Sequence, residues 1–238
     1  MTEDVRFYSA RRAYEFPVDG LRLTIMTAFQ AQIQEAFSFQ ASQVGTPAAT
    51  FGEVPATLPP GLAFTGGAHH VAGALPIPIR FLHVEARRIV IDVAADTAGI
   101  DPVYERLRAL FEGLQAADGS PIMGQPNRTL DASEIGMRFS VDLDQLLPQP
   151  VREALRLLLG NLSSDRVAHL VPSVRVWGEP SAEQYGQQMP SFPLFHLEPR
   201  AGGHTEDRLL YSHAPLPTGD HVAYLRALSQ ALSESTEE

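Results

Sequence analysis

The chain contains no cysteine and no lysine. Without a thiol there is no disulfide, no thiolate nucleophile, no iron–sulfur cluster and no cysteine-bound zinc. Without an ε-amine, Schiff-base chemistry, attachment of pyridoxal phosphate and the phosphate-reaching lysine of a P-loop are excluded. The 18 basic residues are therefore all arginine; they stand against 28 acids, for a net charge of −10. No basic run exceeds two adjacent arginines. The stripe of cations that neutralises several phosphates is missing, and nucleic acid is not an expected partner. No run of 18 apolar residues occurs, so a membrane helix is not expected either. The opening MTEDVRFYSARRAYEF has neither an apolar centre nor a small-residue cleavage site, which predicts a cytoplasmic protein without a secretory signal. H-E-x-x-H, G-x-S-x-G and G-x-G-x-x-G are all absent, leaving zinc proteolysis, that form of serine hydrolysis and dinucleotide binding without support.

What is present is a globular composition: 44% hydrophobic and 19% charged residues, enough to build a packed core. The 238 residues are read as a single domain, 1–238. In residues 21–41, LRLTIMTAFQAQIQEAFSFQA, the odd positions are mostly apolar, the mark of a strand with one buried face. Ile25, Phe29, Ile33, Ala36 and Phe37 also fall on one helical face, but the length of the alternation favours a strand. Residues 45–75 are rich in Gly, Pro, Ala and Thr and read as a long connection. IPIRFLHVE (77–85) and IVIDVAA (89–95) read as two strands around a tight turn, followed by a helix that Asp101 caps and Pro102 opens. Near the end, FPLFHLE (192–198), RLLYSHA (208–214) and DHVAYLRALSQALSE (220–234) follow the same plan, and LRAL recurs in both helices. The expected fold is α+β: an antiparallel sheet with helices packed on one face, built around two β-β-α units, 77–114 and 192–234, as an internal repeat.

FLHVEAR (81–87) and LFHLEPR (194–200) mark corresponding places in the two units. Residues two apart on a strand share a face, so His83 projects with Glu85 and His196 with Glu198. Imidazole and carboxylate are competent ligands for a divalent transition metal, and His213 or His204 would extend the set. The competing reading is a polar sheet face whose His and Glu bond to cross-strand neighbours. His69 and His70 in the Gly-rich connection, and Asp142 with Asp144 in VDLD, read in the same two ways: a cleft cap or acid–base pair, against ordinary solvated positions. Trp177 reads as a packing anchor at a strand end. No catalytic residue and no cofactor is assigned. The expectation is a non-enzymatic interaction or assembly protein that associates with itself or another protein through sheet edges. The alternatives are a metal-binding protein or metal-dependent enzyme using the two His-x-Glu pairs, and a small-ligand binder with a pocket beneath 45–75.

Overall fold

The computed structural model describes residues 5–17, 27–45, 48–51, 54–57, 61–85, 87–112, 114–115, 119, 121–139, 147–161, 173–177, 193–199 and 209–234. The fold is α+β, with eleven strands and four helices among the described residues. The chain divides into two compact units. The amino-terminal unit comprises Phe7–Ser133 with Leu216–Thr218; the carboxyl-terminal unit comprises Met1–Arg6, Glu134–Pro215 and Gly219–Glu238.

In the amino-terminal unit, β1 (Val5–Glu15) is followed by α1 (Thr27–Ala36), β2 (Ala41–Gly45), β3 (Ala48–Phe51), β4 (Val54–Thr57), β5 (Gly61–His69), β6 (Ile77–Glu85), β7 (Arg88–Val93), α2 (Ile100–Phe111) and the first half of β8 (Arg128–Arg138). The sheet runs β2-β5-β6-β7-β1-β8, and β3 pairs only with β4. The ladders β2/β5, β5/β6, β6/β7 and β7/β1 are all antiparallel. Their registers put Leu62 opposite Val84, Leu82 opposite Ile91, Ile89 opposite Tyr14 and Val93 opposite Ala10, which makes one continuous apolar face. Phe29, Ile33 and Phe37 from the α1 segment, and Ile100, Val103, Tyr104, Leu107 and Phe111 of α2, complete the core on that face. The rings of Phe29 and Phe111 meet at 4.4 Å.

The strand expected over 21–41 is corrected for its described part, which is helix α1 and then β2. Phe29, Ile33 and Phe37 are four apart, a spacing that satisfies both the strand and the helix period. The deciding positions are Ala31 and Glu35, which a strand would bury with them and which are exposed. The helix ends at Ala36, and the chain turns away through Ser38, whose φ of 52° lies in the left-handed region. Residues 18–26 lie outside the described residues.

The segment expected as a long connection holds β3, β4 and β5, and β5 pairs on both edges, with β2 and with β6. Its glycines answer to close packing. A Cβ on Gly61 would stand 2.4 Å from the Val84 carbonyl oxygen, and one on Gly67 would stand 2.4 Å from the Phe39 ring. Composition alone reads such glycines as loop; here neighbouring backbone and ring leave no room for a side chain. Asp101 is not the cap of α2: the helix starts at Ile100 after a single 3₁₀ turn, Thr97–Gly99, and Asp96 caps that turn by accepting from Gly99 N–H at 3.1 Å. Asp101 lies in the first turn and accepts instead from Arg12 at 2.6 Å. Thr97 is tied to the start of α4 (Thr218–Glu234) reciprocally: its N–H donates to Thr218 Oγ1 at 3.0 Å, and Thr218 N–H donates back to Thr97 Oγ1 at 3.2 Å.

In the carboxyl-terminal unit, the end of β8 is followed by α3 (Gln149–Asn161), β9 (Val174–Trp177), β10 (Pro193–Pro199), β11 (Leu209–Ala214) and the body of α4, with strand order β8-β11-β10-β9. β10 runs antiparallel to both β9 and β11. Ile135, Met137 and Phe139 bury alternate positions of the β8 segment, and Phe195, Leu197, Leu210 and Ala214 bury those of β10 and β11. Val222, Leu225 and Leu232 are the buried apolar positions of α4. The rings of Phe195 and Tyr224 meet edge-on at 5.1 Å, which seats α4 against β10.

Candidate functional site

His83 and Glu85 lie on the face of β6 opposite the apolar core, as their spacing requires. His83 is nonetheless 0% exposed. It stands between Ala63 of β5 and Val90 of β7, and its ring lies 5.9 Å from that of Phe81. The missing side chain of Gly61 makes space for it: a Cβ there would come within 2.9 Å of His83 Nε2. Glu85 sits opposite Arg88, which donates to its carboxylate at 2.5 Å. Burial pushes the Glu85 carboxyl up, and Arg88 opposes that shift. Farther along the same face, Arg11 Nε donates to buried Asp92 at 3.0 Å, and Arg80 approaches the other carboxylate oxygen at 3.9 Å. The result is a row of buried acids held by arginines. Such pairs are costly to break, and both carboxylates are committed to cations.

His196 and Glu198 occupy a different environment. They are half-buried on β10, with Arg175 of β9 opposite His196 on one side and His213 of β11 opposite it on the other. Tyr211 stands across from Glu198, and its ring meets the imidazole edge-on at 6.5 Å. His196 Nε2 is 3.0 Å from Glu198 Oε2 and also accepts from Arg175 Nε at 3.2 Å. Arg175, His196, Glu198, Tyr211 and His213 thus form a polar patch spanning three strands. It is the strongest candidate site in the described chain, because its titratable groups converge and remain in reach of solvent.

Among the described residues, no group of three or more His, Asp or Glu side chains is gathered as a metal requires. Of the set His83, Glu85, His196 and Glu198, the first two belong to the amino-terminal unit and the last two to the carboxyl-terminal unit, each pair engaged within its own strand neighbourhood. His204, Asp142 and Asp144 lie outside the described residues. Trp177 ends β9 opposite Pro193. His69 closes β5 with its ring 5.9 Å from Phe37; burial pushes its imidazole below the ordinary value, and Arg106 and His70 push the same way. An open cavity of about 420 Å³ lies at the end of α2, lined by Arg108, Phe111, Glu112, Leu114, Met123 and Gln125 among others.

Sequence reasoning missed a buried pair. His221, in the first turn of α4, is 0% exposed, and its Nε2 lies 2.9 Å from Ser212 Oγ. Ser212 in turn donates to the His196 backbone carbonyl at 3.0 Å. The bonds are consistent when neutral His221 donates through Nε2 and Ser212 passes its own proton to the carbonyl. Burial, with His213 adding to it, lowers the His221 imidazole to about 4. The one available signal was the position of His221 beside Val222 and one turn before Leu225, on the apolar stripe of its helix. Arg12 was missed as well: between Asp131 and Asp101, at 2.6 Å from each, its guanidinium is held above its usual value against the cost of burial. No protein-family model, no curated protein and no solved structure matches this chain.

Proposed function

We propose that this protein is a non-enzymatic assembly module that associates with further copies of itself through sheet edges, foremost the edge formed by β9. The observation that carries this reading is the place of β9. It is the outermost described strand of its ladder, paired on one side with β10, and Val176 is 47% exposed on it. An edge strand with an exposed apolar residue is a template for another strand. In the amino-terminal unit, β2 pairs with β5 as the end strand of its ladder and offers a second such template.

The reading includes an internal duplication, with 77–114 and 192–234 as two β-β-α units. Supporting it are the order β6, β7, α2 against β10, β11, α4 and the place of His83 and His196 on the first strand of each hairpin. The Thr97–Thr218 exchange adds to this. Each threonine stands four residues beyond its strand end, Val93 or Ala214, and each gives the other the same bond.

Light scattering on the purified chain tests the assembly. The expected result is a mass that is a multiple of one chain and falls to one chain in Val176→Lys, because a charge on an edge strand blocks pairing. A single-chain mass for the unmodified protein at tens of micromolar overturns the reading.

A further inference from the structure

The carboxyl-terminal end of α2 builds a cavity of mixed character. The helix runs to Phe111, and its cap residue Glu112 is extended, so the chain leaves the helix axis there. Leu114 N–H then donates back to the Phe111 carbonyl at 3.1 Å, and Ile122 N–H donates to the Leu114 carbonyl at 3.3 Å. These bonds bring the returning chain alongside the helix end, where Ile122 and Met123 pack against the core. The cavity that remains, about 420 Å³, falls within the roughly 300–1,000 Å³ of small-molecule sites. Its lining residues run from Arg108 to Gln125, so it belongs wholly to the amino-terminal unit. The apolar part of the lining is Phe111, Leu114, Pro121 and Met123. Phe111 is anchored in the core, whereas Leu114 is 38% exposed, an apolar surface that the fold leaves uncovered.

The charged part of the lining is a matched pair. Among the described lining residues Arg108 is the one cation and Glu112 the one anion, and they stand one helical turn apart. Arg108 Nη2 holds Glu105 at 2.7 Å, while its Nε lies 4.0 Å from Glu112 Oε1, beyond hydrogen-bonding length. A guanidinium has five N–H donors, more than one carboxylate occupies, and the Glu112 carboxylate accepts through two oxygens. A ligand charged with a single sign would meet one attractive and one repulsive group. A ligand that carries both signs on one carbon satisfies both. The end of the helix further favours the positive group beside Glu112. We propose that this cavity binds a free apolar α-amino acid, with its carboxylate on Arg108, its ammonium on Glu112 and its side chain over Phe111, Leu114 and Met123. The site involves no sheet edge and stands independently of the assembly reading.

Calorimetric titration of the full chain with leucine, methionine and phenylalanine tests this. Each should bind saturably. Glycine, leucinamide and N-acetyl-leucine should each bind at least about tenfold more weakly, because each lacks one of the three contacts. Glu112→Gln should abolish the discrimination between leucine and N-acetyl-leucine, and Arg108→Gln that between leucine and leucinamide. Circular dichroism checks that both variants fold; should either fail, the ligand series on the unmodified chain decides alone. Absence of binding at about 10 mM leucine, which would reveal even millimolar affinity, overturns the site. Equal binding of leucine and any of the three truncated ligands overturns it as well, and so does discrimination that survives in both folded variants.

Discussion

Between pH 7.5 and pH 5, His221 takes up a proton readily only after the fold is lost. Its folded value is about 4 and its ordinary value 6.5, because burial first, and His213 second, disfavour the imidazolium. A group whose folded value is depressed stabilises fully above its unfolded value and loses that contribution as pH falls towards the folded one. The loss therefore begins near 6.5 and levels off near 4. Each unit of difference corresponds to about 1.4 kcal/mol, so the loss reaches roughly 2 kcal/mol at pH 5 and roughly 3 kcal/mol at full titration. Against a total stability of about 5–15 kcal/mol this is readily measured. Replacing His221 with glutamine retains a polar group beside Ser212 and removes the titration. Urea unfolding followed by circular dichroism at pH 7.5, 6.5, 5.5 and 5 should show His221→Gln less stable than the original chain at pH 7.5. The difference should narrow by about 2 kcal/mol at pH 5. His69, whose lowered value owes to burial, Arg106 and His70 and not to His221, contributes alike in both proteins and cancels in the difference. Parallel stability curves would refute the buried, neutral state assigned to His221.

Gly61→Ala should lower stability by about 2–3 kcal/mol in thermal or urea unfolding, because its methyl would meet the Val84 carbonyl and the His83 ring. For α1, Ile33→Ala should cost about 3 kcal/mol, whereas Ala31→Glu should change stability by less than about 0.5 kcal/mol; a strand would make both severe, and the same unfolding assay decides. Thr97→Val and Thr218→Val should each cost about 1 kcal/mol, and the double variant should fall short of their sum by at least about 0.5 kcal/mol, since the two bonds share both residues. Strict additivity in that cycle would show that the two residues act independently.

Where burial on one face set the spacing, the sequence was readable. The strands at 77–85 and 89–95 and the helix beyond them were expected from apolar periodicity, and β6, β7 and α2 lie there. Periodicity was ambiguous at Phe29, Ile33 and Phe37, whose spacing of four fits strand and helix alike. Only the exposure of Ala31 and Glu35, a tertiary fact, separates the two. Residues 61–69 were obscured for a related reason. Gly61 and Gly67 are dictated by Val84 and Phe39, partners that their own segment does not reveal. The polar residues of the candidate site were visible as residues but not as partners. His196 and Glu198 were singled out together, yet Arg175 joins them only through the β9/β10 register. The Ser212–His221 bond could not be inferred from the sequence, because the burial of His221 depends on how α4 meets β11.

The two His-x-Glu pairs show how one local pattern acquires two kinds of chemistry. In both hairpins the histidine and glutamate share a strand face, so sequence spacing makes them equivalent. Their neighbours make them different. His83 is flanked by Ala63 and Val90 and closed over by the backbone at Gly61, a fully buried setting. His196 is flanked by Arg175 and His213 and stays half-exposed, within reach of two polar neighbours on β10 and β9. The glutamates follow suit: Glu85 is committed to Arg88 inside the unit, while Glu198 lies 3.0 Å from His196 Nε2 on the half-buried patch. One spacing in the sequence therefore yields a buried pair in one strand and a half-buried, solvent-reachable pair in the other, because the neighbouring strands and not the spacing decide the surroundings.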